Sequence, residues 1–177
     1  MPHVLSPRLA AALGLLLTCA VARAATDIDK LGRDCAAGKR KACAKLAEIA
    51  TINTDRQVRW AAVTNLTDQA LLANVAKTAS DSSVREAAVK KLSDQAVLAD
   101  IARTDSNPDV RRGAVEELTD QAVLANIAKT DSDSRVRGAA VKMLTDQALL
   151  ADIAKTDRDA DVRAAAQRRL EELRAGR

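Results

Sequence analysis

The chain is poor in the residues on which most enzymes and small-molecule sites depend. Its 177 residues include no Phe, no Tyr, one Trp, one His, three Pro and six Gly. The one histidine, His3, lies in an N-terminal segment that we expect to be removed, so the mature chain would have no imidazole for acid-base catalysis or metal binding. Apart from Trp60, it has no aromatic platform on which a base or cofactor could stack. We therefore expect a protein that is not an enzyme and that binds no cofactor and no metal.

The residues that are present favour helices. Ala, Leu, Val and Ile supply almost all of the 47% of the chain that is hydrophobic. Ala and Leu, together with the abundant Lys, Arg, Glu and Gln, are strong helix formers, whereas the β-branched and aromatic clusters typical of sheets are sparse. The composition alone predicts an all-α fold.

Residues 1–24 have the pattern of a secretory signal peptide. Arg8 precedes the apolar run LAAALGLLLTCAVA, and the Ala-Arg-Ala that ends at Ala24 supplies the small residues that signal peptidase reads. A membrane-spanning helix needs ~20 apolar residues, and no other stretch of the sequence approaches that length. Lipidation at Cys19 is not expected, because Thr18 stands where lipoprotein signals place Gly, Ala or Ser. We predict cleavage after Ala24 and a periplasmic or secreted protein without a membrane span.

Cleavage would leave a nearly neutral protein. Arg8 and Arg23 would leave with the leader, which takes two of the 28 basic residues against 24 acidic ones and reduces the net charge from +4 to about +2. A protein that holds nucleic acid by bulk electrostatics would have a strong basic excess. No nucleic-acid partner is therefore expected, and a monomer is the default state.

A repeat with a period of 26 residues organises the remainder of the chain. Two dipeptides, Val-Arg and Asp-Gln, each recur at this interval. The arginine column consists of Arg59, Arg85, Arg111, Arg137 and Arg163. The Asp-Gln column consists of Asp68 and Gln69, Asp94 and Gln95, Asp120 and Gln121, and Asp146 and Gln147. Repeats of this length indicate a solenoid in which each unit buries its apolar face on its neighbours.

Each repeat predicts two short amphipathic helices. In the stretch that begins with Val84, apolar residues at helical spacing form one face as far as Leu92, and a second such face follows Ser93. We call these the Val-Arg helix and the Asp-Gln helix. An Asp or Asn before each Val-Arg helix predicts an N-cap. The Asp-Gln helix is expected to follow a hydroxyl cap, and the hydroxyl residues at this phase are Thr67, Ser93, Thr119 and Thr145.

The pattern V-R-x-x-A-V-x-x-L, followed by a second helix and an Asp-rich turn over residues 46–170, resembles the HEAT-like family of α-solenoids. It is also similar to the leucine-rich repeat variant family, in which one of the two helices is a 3₁₀ helix. Both resemblances imply a curved helical stack, and neither implies a reaction. The predicted fold is an all-α, right-handed α-solenoid of short two-helix HEAT-like repeats, with the helix type of the second helix left open.

The sequence predicts three segments: the signal peptide at 1–24, an N-terminal helical hairpin cap at 25–52, and a repeat array with a charged C-terminal capping helix at 53–177. Cys35 and Cys43 are the only cysteines left after cleavage, and exported proteins normally oxidise such a pair. Their spacing, with Gly38 between them, suits a disulfide across a helical hairpin. It resembles the paired cysteines of exported cysteine-rich helical-hairpin repeat proteins.

Both repeated columns allow a binding interpretation and a structural one. The arginine column could line a groove that holds carboxylates or phosphates. In HEAT-like proteins, however, Arg at a comparable phase pairs with Asp in a ladder, and Asp105, Asp131 and Asp157 are available for this. The Asp-Gln column could bind a repetitive ligand. Alternatively, its Asp suits the first turn of a helix, and its Gln could hydrogen-bond its copy in the next unit.

Two outward rows vary between repeats. One row carries charges of alternating sign, Lys90, Glu116 and Lys142, which predicts attraction between neighbouring units. In the other row Trp60 is either a contact anchor or a cover for the thin N-terminal cap.

We expect a scaffold that binds a protein partner in the cell envelope. The alternatives are a binder of an anionic polymer through the arginine column, and an assembly or lyase-type accessory factor, as a branch of HEAT-like proteins suggests.

Overall fold

A computed structural model describes residues 27–176, and all of the regular secondary structure within that range is helical, in eleven helices. They are α1 (27–36), α2 (Arg40–Ile52), α3 (Arg56–Asn65), α4 (Gln69–Thr78), α5 (Ser82–Val89), α6 (Gln95–Thr104), α7 (Pro108–Glu116), α8 (Gln121–Thr130), α9 (Ser134–Met143), α10 (Gln147–Thr156) and α11 (Ala160–Ala175). The predicted all-α fold is confirmed. The Asp-Gln helices α4, α6, α8 and α10 are α-helices rather than 3₁₀ helices. The predicted signal peptide and Cys19 lie outside the described residues.

None of the helices in this range is long and apolar enough to cross a membrane. The chain divides into two compact units after Asp68. The division falls inside the sequence segment predicted as the array, which was expected to begin at residue 53. In its described part the first unit contains α1, α2 and α3, and the second unit contains α4 to α11.

A disulfide ties the first two helices of the first unit. Cys35 in α1 bonds to Cys43 in α2, and their Cα atoms lie 4.7 Å apart. Gly38 adopts a φ of 79° in the turn between the helices, a conformation that glycine tolerates without steric cost. A side chain at Gly32 would overlap that of Asn65 in α3, so glycine allows α1 and α3 to approach closely. The predicted hairpin and its Cys35–Cys43 disulfide are present.

Removal of the disulfide will loosen the first unit selectively. For the Cys35→Ser/Cys43→Ser variant we expect the free energy of unfolding to fall by about 2 to 3 kcal/mol. This is the stabilisation that closing so short a loop contributes in the chain-entropy model. Amide hydrogen exchange read by mass spectrometry should show faster exchange at residues 27–52 than in the oxidised protein. Residues 95–156 serve as the internal control and should exchange unchanged. Equal exchange in both segments would contradict a local stapling role.

The second unit is a row of four helical hairpins: α4–α5, α6–α7, α8–α9 and α10–α11. Within each hairpin an Asp-Gln helix packs on the Val-Arg helix that follows it, and the Val-Arg helices α5, α7, α9 and α11 pack on each other in sequence. The two Asp-Gln helices of adjacent hairpins contact each other far less. The packed pair is therefore an Asp-Gln helix followed by a Val-Arg helix, whereas the sequence-based division began each unit with the Val-Arg helix. Successive packing of this kind is that of a helical-repeat solenoid.

A thin aliphatic core runs through these hairpins. One leucine from each Asp-Gln helix and one valine from each Val-Arg helix are almost completely buried, and they occupy the same two phases of the repeat. These residues are Leu72, Leu98, Leu124 and Leu150, and Val84, Val110, Val136 and Val162. No aromatic residue contributes, so close approach depends on the buried alanines, such as Ala88 and Ala114. Helices of about ten residues are marginal alone, so stability comes from this stacking.

Asp and Asn side chains cap both kinds of helix. Before the Val-Arg helices, Asp81 accepts from the backbone N–H of Ser83, and Asn107 accepts from that of Asp109, as the sequence predicts. The Asp-Gln helices differ from the prediction, which placed the cap on the Ser or Thr one residue earlier. Their caps are Asp94, Asp120 and Asp146, each of which accepts from the second and third N–H groups after it. The hydroxyls of Ser93, Thr119 and Thr145 instead donate to glutamine side chains of the preceding hairpin.

Candidate functional site

The arginine column forms a ladder of ion pairs between neighbouring hairpins. Arg137 Nε and Nη2 donate to the two carboxylate oxygens of Asp157, each at 2.9 Å. Its third nitrogen, Nη1, donates to the backbone oxygen of Asp131 at 3.0 Å. The same pattern joins Arg85 to Asp105 and Arg111 to Asp131. Each of these three arginines therefore hydrogen-bonds to the turns of two successive hairpins.

These ion pairs are closed to solvent. The side chains of Arg137 and Asp157 are 3% and 7% exposed. Hydrogen bonds from Arg137 hold the pKa of Asp157 below its ordinary value, although burial opposes the effect, and the bond to Asp157 raises the pKa of Arg137. Both groups therefore remain charged at neutral pH, and each satisfies the other. A guanidinium in this position cannot also hold an incoming phosphate or carboxylate.

The last arginine of the column differs from the three before it. Arg163 Nη1 donates to the backbone oxygen of Asp157 at 2.8 Å, but within residues 27–176 no carboxylate pairs with it. In the first unit, Arg59 Nη1 donates to the backbone oxygens of Asn53 at 2.8 Å and Thr54 at 3.1 Å. All five arginines thus hold a turn through Nη1, and Arg85, Arg111 and Arg137 add a bidentate carboxylate contact that Arg163 does not make within residues 27–176.

The glutamines of the Asp-Gln column clamp the loop that leads into the next hairpin. Gln95 Nε2 donates to the backbone oxygen of Glu117 at 3.0 Å, and its Oε1 accepts from the N–H and hydroxyl of Thr119 at 2.9 and 3.1 Å. Gln69 does the same with Lys91 and Ser93, and Gln121 with Met143 and Thr145. The expected bond from Gln to its own copy is therefore wrong. A hydroxyl residue 24 positions after each of Gln69, Gln95 and Gln121 was the sequence signal for this clamp.

The variable rows of the Val-Arg helices lie on the surface. Trp60 is 54% exposed in α3, so it does not cover the cap. In the charged row, Lys90 at the C-terminal end of α5 pairs with Glu86, one turn earlier, at 2.8 Å rather than with a residue of the next unit. Short intrahelical partners satisfy such charges more easily than a reach to the next helix. The row that begins with Trp60 continues as Glu86, Arg112, Gly138 and Ala164.

A groove crosses these rows in the second unit. It has a volume of about 410 Å³ and lies along α9, between α7 and α11. Its floor contains Gly138 together with the buried Ala139 and Val162. Exposed side chains form its rim, among them Met143, which is 37% exposed. The sequence analysis placed Gly138 in the variable row but missed the groove, for which a glycine at this outward position was the available sign.

The arrangement offers a groove and exposed side chains that can bind. No group of three or more His, Cys, Asp or Glu side chains in the part of the chain that the structure describes could hold a metal ion. No protein-family model matches the chain, and no curated protein is detectably similar to it. The surface chemistry of the repeats is therefore the basis for a functional proposal.

Proposed function

We propose that this chain is an exported, non-catalytic scaffold of HEAT-like repeats that binds another protein through the exposed face of its Val-Arg helices. One observation carries the proposal: the chemistry of that face changes at every repeat, whereas the repeated columns are engaged within the array. Within the second unit the groove along α9 suits a protein partner, and in the first unit the exposed Trp60 does so independently. Exposed Trp is a frequent anchor of protein interfaces.

The contacts of the repeated columns support a protein partner over an anionic polymer. A polymer with a repeating charge would be matched by a uniform row of available cations. The arginine column is uniform, but Arg85, Arg111 and Arg137 are held in bidentate ion pairs. In the second unit, a row whose members run from Glu86 through Arg112 to Gly138 matches a surface of defined and irregular shape instead.

Export is the part of the proposal that rests on the N-terminal sequence. The pattern at residues 1–24 predicts a cleaved leader, and the Cys35–Cys43 disulfide suits an oxidising compartment. Cell fractionation followed by N-terminal sequencing tests it. We expect the protein in the envelope or culture fraction with a mature N-terminus at Ala25. An uncleaved cytoplasmic protein would contradict the export proposal and leave the binding proposal standing.

Site-specific photo-crosslinking in intact cells tests the binding proposal. The photoreactive residue is placed at positions 60, 86, 112 and 138, and a matched set of probes occupies the exposed alanine row on the Asp-Gln helices, Ala70, Ala96, Ala122 and Ala148. We expect one dominant protein to be captured from the first set and not from the second. Capture by neither set, together with retention of the protein on an anionic polysaccharide resin, would replace the proposal with the polymer alternative.

A further inference from the structure

The α9 groove combines an open centre with two ends of opposite charge. At its centre, a Cβ atom on Gly138 would meet, apart from its chain neighbours and the backbone of its own helix, one atom within 4 Å, Cγ2 of Val162 at 4.0 Å. The position can therefore accept a side chain from outside without displacing the protein's own atoms. Val162 and Ala139 beneath it are 2% and 8% exposed, which makes the centre apolar.

The charged rim is partly neutralised by the protein itself. Arg112 pairs with Glu116 at 2.8 Å within α7. Arg135 pairs with Asp133 at 3.0 Å and with Asp109 at 3.2 Å. These cations already have carboxylate partners, so they contribute little attraction for an additional anion.

Two rim cations have no ion-pair partner among residues 27–176. Lys142 in α9 and Arg168 in α11 occupy the same phase of adjacent repeats, at the end of the groove formed by the C-terminal part of α9, and both are exposed. Adjacent packed helices lie roughly 8–10 Å apart, so the two side chains can converge on one carboxylate or hold two neighbouring ones. The opposite end carries Asp159 and Asp161, which repel carboxylates.

The dimensions of the groove limit what it can accept. From Ser134 to Lys142 the helix rises about 12 Å at 1.5 Å per residue, which is the length of about four residues of extended chain. Gly138 and Lys142 are one helical turn apart, about 6 Å. In an extended segment, side chains two residues apart lie on the same face at a similar spacing.

We propose that the α9 groove binds a short, extended, acidic segment of the protein partner, with an apolar side chain over Gly138 and a carboxylate two residues away on Lys142 and Arg168. The inference rests on the proposed scaffold function and names the chemistry of its partner at this site. The charge polarity orients the segment, because Asp159 and Asp161 would repel its acidic end. The recognised pattern is apolar-x-Asp or apolar-x-Glu.

Panning of a random dodecapeptide display library against the purified mature chain tests the pattern. We expect the enriched peptides to share an aliphatic residue two positions from Asp or Glu. Fluorescence anisotropy then measures the best peptide on variants whose far-UV circular dichroism matches that of the parent. Lys142→Glu/Arg168→Glu should weaken binding at least about tenfold, since it replaces both attractive charges with repulsive ones. Gly138→Leu should do the same by filling the centre.

The matched control is Lys129→Glu/Lys155→Glu, which makes the same charge change at two exposed positions on the Asp-Gln helices. It should leave the affinity within twofold of the parent. Equal losses in both double variants would reduce the effect to net charge and overturn the proposal. Peptides that bind normally to Gly138→Leu but lose affinity with Trp60→Ala would overturn the groove and leave the scaffold function intact. Enrichment of no peptide also overturns the groove, and the crosslinking experiment then decides the scaffold function by itself.

Discussion

Replacement of Arg137 by Met will lower the free energy of unfolding of the second unit by about 3 to 5 kcal/mol. The substitution keeps much of the aliphatic stem but leaves the carboxylate of Asp157, which is 7% exposed, without its bidentate partner. Breaking a buried ion pair by removal of one member typically has a cost of this size, because an uncompensated charge stays buried. Urea denaturation followed by far-UV circular dichroism measures the change.

Arg163→Met is the control for this prediction. The residue has the same phase, the same helix type and the same Nη1 bond to a backbone oxygen, but within the described range it holds no carboxylate. Its replacement should cost less than half as much as that of Arg137. Similar losses at the two positions would show that the aliphatic stem or the Nη1 bond, and not the carboxylate pair, stabilises the array.

The cost of Arg137→Met should depend on pH. Hydrogen bonding to Arg137 lowers the pKa of Asp157 in the folded protein relative to an unfolded chain, where an Asp has a pKa of about 3.9. The contribution of the pair is therefore fully present above about pH 4 and is lost as the pH falls through the lower pKa of the folded state. The difference between parent and variant should be largest near pH 7 and shrink as the pH falls towards 3, because burial raises the pKa of the unpaired Asp157 in the variant and the parent loses its pair at low pH. A difference that grows with acidification would contradict the assignment.

The second large effect that we expect is that of Leu124→Ala, which should lower the free energy of unfolding by about 2 to 5 kcal/mol. Leu124 in α8 is 0% exposed, and the aliphatic core around it has no aromatic side chain that could move in to fill the cavity. The cost combines the lost transfer free energy of the side chain with the cavity that remains. Thermal and urea unfolding of the variant provide the measurement.

Leu149→Ala supplies the comparison for the core prediction. Leu149 lies in the equivalent type of helix, α10, but is only partly buried, so its truncation should cost about 1 kcal/mol or less. Because neighbouring repeats stabilise each other, the Leu124 variant should also unfold over a broader range of urea concentration. Equal destabilisation by the two substitutions would indicate that the hairpins are stabilised individually rather than as a stack.

Local features of this protein were predictable because they depend on residues close together in sequence. The helix N-caps accept from backbone N–H groups only two or three residues away, so an Asp or Asn before an amphipathic pattern was sufficient to predict each cap. These caps are Asp81, Asn107, Asp133 and Asp159. The Cys35–Cys43 disulfide closes a short loop, and its geometry follows from one hairpin. The same holds for the number of helices per repeat.

Partners that are far apart in sequence were predicted less well. The ion pairs of the arginine column join residues 20 apart, and the period restricted the candidates to the Asp of each turn. The glutamines were assigned to the wrong partner, because both their own copies and the loop hydroxyls lie about one period away, and only the packed hairpins place Thr119 rather than another Gln beside Gln95. The Asp-Gln caps were misplaced by one residue for the same reason, since the hydroxyls were already engaged by that contact.

The sequence by itself determined the all-helical fold, the 26-residue period, the positions at which the Val-Arg helices begin, and the pairing of Cys35 with Cys43. Each of these follows from composition, periodicity or short-range chemistry. Only the tertiary structure decided which two helices form a hairpin, which repeated polar residues are engaged inside the array, and where a groove opens. These features depend on side chains from three hairpins meeting in space. A sequence repeat shows that the hairpins are alike, but the depth and charge of the surface between them depend on the few positions at which they differ, such as Gly138, Lys142 and Arg168.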